Sequence, residues 1–100
     1  MPLLFEFRLS ISETFYVNFY IQPKTVIELG HPVDLVCDVY GAPDAIVSII
    51  FKDQKLSTKQ IYTINNTNKI DDGQYVCSVK RNQSDHDPIV KTFQLMIRCK

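Results

Sequence analysis

The sequence predicts an all-β chain folded as one antiparallel sandwich of about seven strands. Apolar and polar residues alternate with period two along Val33–Val39 and again along Gln74–Lys80, the pattern of strands with one buried face. Turn-forming clusters such as Gly30-His31-Pro32 and Gly41-Ala42-Pro43-Asp44 separate the apolar runs at short intervals. No stretch keeps helical periodicity for more than a turn. The 100 residues suffice for one core and are too few for two.

In chain order, residues 5–12 set Phe5, Phe7, Leu9 and Ile11 against Glu6, Arg8, Ser10 and Ser12, a half-buried strand by its period. Residues 1–14 read equally as an N-terminal arm or as the tail of a preceding similar domain, ahead of a main domain at 15–100. Phe5–Leu9 resembles Phe93–Ile97 in its alternation. An extended run from Phe15 to Gln22 stops at Pro23, and Thr25–Leu29 leads into the turn at Gly30. Val33, Leu35, Cys37 and Val39 share one face, opposite Asp34, Val36 and Asp38. Ile46–Phe51 is an apolar run broken only by Ser48 and closed by Lys52-Asp53-Gln54-Lys55. Gln60–Asn65 is a short strand, and Asn66–Asp72 a polar connection. Tyr75, Cys77 and Val79 share a face of the next strand. Arg81–Pro88 is a polar loop, and Ile89–Ile97 is the last strand.

Composition and charge narrow the function classes. Nearly half the residues are apolar, which suits a packed domain. Eleven basic and eleven acidic side chains give a formal net charge of zero, so no global field draws in nucleic acid or an anionic membrane. No apolar run approaches the roughly 20 residues of a membrane span. Met1-Pro2-Leu3-Leu4-Phe5 starts like a signal sequence, but Glu6 and Arg8 interrupt it. The targeting signal of an exported parent is therefore expected outside this segment. Three glycines leave little for a phosphate cradle, and no nucleophile–base or Cys-x-x-Cys motif is present. Asp85-His86-Asp87 reads as a solvated loop: His31 lies at a distant turn, and a zinc or copper site needs several ligands at set spacings. No enzymatic activity, metal or cofactor is expected.

The strongest local signal is Asp71-Asp72-Gly73-Gln74-Tyr75-Val76-Cys77, which fits Asp-x-Gly-x-Tyr-x-Cys at every fixed position. Here, over residues 17–98, the chain resembles the immunoglobulin superfamily. The resemblance implies a tyrosine corner at Tyr75, whose hydroxyl bonds to upstream backbone, with Asp71 and Gly73 in the same motif. Gly73 is expected at a tight turn before strand F, where a side chain would crowd the backbone. Val33-x-Leu35-x-Cys37 matches strand B, which implies a Cys37–Cys77 disulfide across the sandwich. Closing that loop adds about 4 kcal/mol on the chain-entropy model, against a net stability of roughly 5–15 kcal/mol. The competing state is two buried thiols, as in a cytosolic homologue. The family also places apolar residues nine, seven and four positions before the Asp. Those positions hold Tyr62, Ile64 and a polar Thr67.

The chain departs from the pattern in having no Trp. Either Ile49 or Ile50 takes the strand C position: spacing to Lys52-Asp53 favours Ile50, and alternation with Val47 and Phe51 favours Ile49. Phe51 and Tyr62 are expected to offset the lost indole. The substitution also resembles Fc-receptor-like and platelet-endothelial-adhesion-type domains. The short stretch between Phe51 and Gln60 leaves little room for two extra strands, which argues for the I-type or constant-2-type arrangement.

Asn65-Asn66-Thr67 and Asn82-Gln83-Ser84 fit the N-glycosylation acceptor pattern, at or beside loops. With the inward cysteines they point to an oxidising, secretory compartment. Cys99 is left over, for another domain or chain or as a free thiol, and the single residue after it favours a truncated end. What the resemblance implies is an extracellular module of a receptor or adhesion protein, in a parent that is secreted or membrane-anchored. It contacts a protein ligand, with Arg81, Asp85 and His86 of the longest polar loop as candidate contacts. An intracellular structural repeat of titin type and one ectodomain module of a receptor kinase are the alternatives.

Overall fold

The computed structural model describes residues 15–84 and 86–99. The alternating segment 5–12, with the arm or domain tail at 1–14, and Asp85 lie outside the described residues. The strands are β1 (Tyr16–Gln22), β2 (Ile27–Glu28), β3 (Val33–Tyr40), β4 (Ile46–Phe51), β5 (Gln54–Ser57), β6 (Ile61–Ile64), β7 (Gly73–Lys80), β8 (Ile89–Leu95) and β9 (Ile97–Arg98). Two antiparallel sheets, β1-β3-β6 and β5-β4-β7-β8, enclose the core.

The chain leaves β1 at the cis Gln22–Pro23 bond and crosses to the other sheet. There Ile27 and Glu28 pair in parallel with Ile97 and Arg98. Proline has no N–H to give a ladder, so it fits where pairing with β3 ends. The last strand is likewise split at Met96, with β8 pairing to β7 and β9 to β2.

Period-two alternation sets the core. Val17, Phe19 and Ile21 of β1 and Val33, Leu35 and Cys37 of β3 face Val47 and Ile49 of β4 and Tyr75, Cys77 and Val79 of β7. Val36, on the opposite face of β3, is nevertheless buried, between Tyr20 of β1 and Ile61 of β6 in register.

The structure decides between the two isoleucines. Ile49 is fully buried and stands opposite Cys77, whereas Ile50 is half-buried on the outward face. Alternation therefore prevails over motif spacing, because β4 continues its pleat through this point. A register shift between Ile49 and Ile50 is confined to the pairing with β5.

One expected turn proves shorter. Lys52 and Asp53 alone make it, both at positive φ (52° and 63°), and Gln54 already belongs to β5. Two positive-φ residues in a two-residue connection have the hairpin twist that matches the flanking strands. Neither is Gly or Asn, so composition alone hid the hairpin. Gly73 also differs from expectation. It lies in β7 opposite Leu95 at φ +142°, and an added Cβ would stand 2.8 Å from Cε1 of Phe51. A ring, not backbone, occupies that space.

The polar Thr67 is 2% exposed at its apolar-type position. Its hydroxyl donates to the His31 carbonyl at 2.7 Å, and its own carbonyl accepts from Gly30 N–H at 2.9 Å. The bonds offset the burial of a hydroxyl and tie the connection after β6 to the turn before β3.

Candidate protein-binding faces

Cys37 and Cys77 are bonded across the two sheets, with Cα atoms 6.5 Å apart. Beside them the Tyr75 hydroxyl donates to the Asp71 carbonyl at 2.7 Å. Burial, with nearby Asp71 adding to it, pushes the Tyr75 phenol well above the usual tyrosine range. Phe51 stacks on Tyr75 with centroids 4.1 Å apart and planes within 7°. This aromatic pair lies beside the cystine in a chain without Trp.

Asp71 also serves the single 3₁₀ turn Lys69–Asp71. Its carboxylate accepts from Asn68 N–H at 2.7 Å, and Asn68 Oδ1 accepts from Lys69 N–H. The neighbouring Asp72, a variable position in the motif, makes a second tie. Its carboxylate accepts the Ile97 N–H, while Lys69 Nζ donates to the Ile97 carbonyl at 2.7 Å and to Asp72 at 3.1 Å. The Ile97 N–H, then Lys69, hold the Asp72 carboxyl below the usual carboxylate range. Nothing local in the chain marks Asp72, because the last strand returns beside it only in the fold.

Two of the loop residues expected to contact a ligand, Arg81 and His86, stand at one end of the sandwich. Arg81 and His86 are both exposed, and the Arg81 guanidinium lies 4.7 Å from the centroid of Phe15. Asn82 is exposed, its Oδ1 accepting from Ser84 N–H at 2.9 Å. Asn65 is exposed at the end of β6. Among the described residues no group of three or more His, Cys, Asp or Glu could hold a metal. Cys99 is an exposed free thiol, at the rim of an open apolar groove of about 590 Å³ lined by Ile21, Val26, Phe93 and Met96.

The two outward faces carry opposite charge, which the zero net charge concealed. Strands β4, β5, β7 and β8 hold no carboxylate, and they turn Lys55 and Lys80 outward, whereas Lys91 pairs with Cys77 on the inward side of the edge strand. Strands β1, β3 and β6 hold Asp34 and Asp38 and no Lys or Arg. On this acidic face Tyr16 and Tyr40 are register partners, stacked at 4.6 Å and within 11°. Tyr20 and Tyr40 hydroxyls both donate to Asp38 Oδ2, at 3.0 and 3.4 Å. The bond to Asp38 raises the Tyr20 phenol, and the charge of Asp38 raises that of Tyr40. Asp34 accepts from Thr63 Oγ1 at 2.6 Å.

No protein-family model matches the sequence, and no curated protein does. Solved structures do match its shape. The second Ig-C2 domain of human Fc-receptor like A superposes with a TM-score of 0.67 at 12% identity, over 82% of this chain and 95% of that one. The fold is that of an immunoglobulin domain. An Ig from the complex of titin M10 with obscurin-like 1 gives 0.63 at 17% identity, over 87% and 98% of the two chains. The N-terminal four Ig domains of Dscam1 isoform 8.4 give 0.65 at 21% identity, and this chain covers 83% of itself but 21% of that longer chain.

In the strand letters of the immunoglobulin fold, the sheets are A-B-E and C′-C-F-G, with β2 as an A′ segment along G. Strand β5 is the single added C′ strand, and no strand D pairs outside β6 among the described residues. The tyrosine cluster thus lies on the A-B-E face of the immunoglobulin domain, and its Tyr16 follows Phe15, the ring over which Arg81 of the loop lies.

Proposed function

We propose that this immunoglobulin domain is an extracellular module of a receptor or adhesion protein, and that it binds a protein ligand. The observation that carries the reading is the A-B-E face, where Tyr16, Tyr40 and Ile61 are 50%, 44% and 53% exposed around a hydrogen-bonded carboxylate. Rigid aromatic side chains offered to solvent beside a charge are the residue types that dominate protein interfaces. The loop around Arg81 and His86, with Asp85 between, is a second contact region at the end of the sandwich.

The Cys37–Cys77 bond and the two acceptor tripeptides support an oxidising compartment. Asn82, Gln83 and Ser84 are all exposed, whereas Asn65 is exposed beside a buried Thr67. Glycan transfer is therefore expected at Asn82 ahead of Asn65. Mass spectrometry of the native protein, with and without glycosidase and without reductant, tests the location. An intact disulfide with a glycan at Asn82 supports the reading. Free thiols and bare asparagines favour an intracellular repeat instead, for which the Ig from the titin M10 and obscurin-like 1 complex is the structural analogue. Arg81→Ala and His86→Ala each weaken ligand binding if the loop contributes, and unchanged affinity removes it.

A further inference from the structure

We infer that the outward A-B-E face docks an arginine side chain presented by a basic protein segment. The inference rests on the protein-binding reading above and names its partner's chemistry.

Four features converge on Asp38. Its Oδ2 takes both phenolic hydroxyls, which fixes the carboxylate in place. No hydrogen bond reaches Oδ1, and no ion pair forms at Asp38 among the described residues. No cation on β1, β3 or β6 neutralises it. Tyr16 and Tyr40, about half exposed, stack on each other in the neighbouring register pair and offer aromatic rims and outer faces beside the carboxylate that the Tyr40 hydroxyl bonds.

A π-face beside an unpaired carboxylate oxygen suits guanidinium better than ammonium. The planar fork stacks on a ring while its N–H edge donates to the carboxylate, and a compact ammonium cannot do both. Local precedent exists for the cation half of this contact, because Lys24 Nζ already lies 4.6 Å from the Tyr20 centroid. Ile61 on the adjoining strand offers apolar surface for the methylene stem of an arginine. On the other side of the sandwich, Lys55 and Lys80 repel a basic segment, so charge selects between the faces.

The test is amide-shift mapping of the whole chain, isotopically labelled, titrated with a short peptide of alternating arginine and serine. Lysine-for-arginine and citrulline-for-arginine peptides serve as controls. Saturable shifts at Tyr16, Asp38, Tyr40 and Ile61 are expected. The lysine peptide should bind at least about threefold more weakly, and the citrulline peptide should not bind measurably. Asp38→Asn should weaken the arginine peptide by about tenfold, and Tyr16→Ser, which spares the Asp38 bonds, by roughly threefold. Three outcomes overturn the proposal: shifts on β4, β7 and β8, lysine and arginine peptides of equal affinity, or concentration-dependent shifts of this face without peptide, which mean a second copy is the occupant. Each leaves the location reading standing, because that depends on the disulfide and the glycan and not on this face.

Discussion

Ile49 stands directly across from Cys77 in the β4–β7 ladder, at the place where the immunoglobulin pattern carries Trp. Its neighbour Ile50 turns the other way, half-buried on the outward face. Ile49→Ala should therefore cost about 3 kcal/mol through lost burial and the cavity left beside the disulfide. Ile50→Ala should cost under about 1 kcal/mol. Denaturant unfolding of the two variants reads the difference directly, and equal losses would contradict the register described.

Gly73→Ala places a Cβ against the Phe51 ring and forces a non-glycine residue to φ +142°. The backbone term alone is of order 1–3 kcal/mol. Phe51→Leu in the same chain should recover only the ring contact, so the double variant remains less stable than Phe51→Leu alone. Full recovery would mean that the conformation carries no penalty.

Thr67→Val keeps the shape and removes the donor to the His31 carbonyl. A loss of roughly 1 kcal/mol is expected, because water can still reach the exposed His31 turn. Thr67→Ser keeps the hydroxyl and should lose less. A Thr67→Val domain as stable as the parent would show that this bond adds nothing.

Asp72 and Tyr75 bound the pH range of stability from opposite sides. The folded carboxyl of Asp72 is depressed, so its contribution is present above its unfolded pKa and is lost as pH falls through the folded value. The folded phenol of Tyr75 is raised, so its contribution is complete below its unfolded pKa and is lost as pH rises beyond it. Urea unfolding across pH should show Asp72→Asn with a shallower acid limb and Tyr75→Phe with a shallower alkaline limb. Unchanged limbs would place the proton linkage elsewhere.

Reducing Cys37–Cys77 should cost about 4 kcal/mol, a large share of a domain's net stability. Thermal unfolding with and without reductant, on a Cys99→Ser background to exclude exchange, measures it.

Most of the framework was legible in the chain because it is written in local periodicity. Val33, Leu35 and Cys37 on one strand and Tyr75, Cys77 and Val79 on another share faces by period two alone, and the Asp-x-Gly-x-Tyr-x-Cys pattern fixes how those strands face each other. The β4–β5 hairpin was not legible, since Lys52 and Asp53 adopt positive φ without the residue types that announce it. The role of Asp72 was hidden for a different reason. Its partner, Ile97, lies 25 residues away and meets it only when the last strand closes on the 3₁₀ turn.

By itself the sequence determined the inward faces of β3 and β7, because burial there follows the alternation of side chains along a pleat. The choice of Ile49 and the burial of Val36 depended on their neighbours in the fold. Which outward residues stand together was decided only by the tertiary structure. Tyr16 and Tyr40 are far apart in the chain, and Asp38 gains its meaning from phenols on two strands. Strand pairing sets that company through backbone hydrogen bonds, which carry no signature in the side chains they bring side by side.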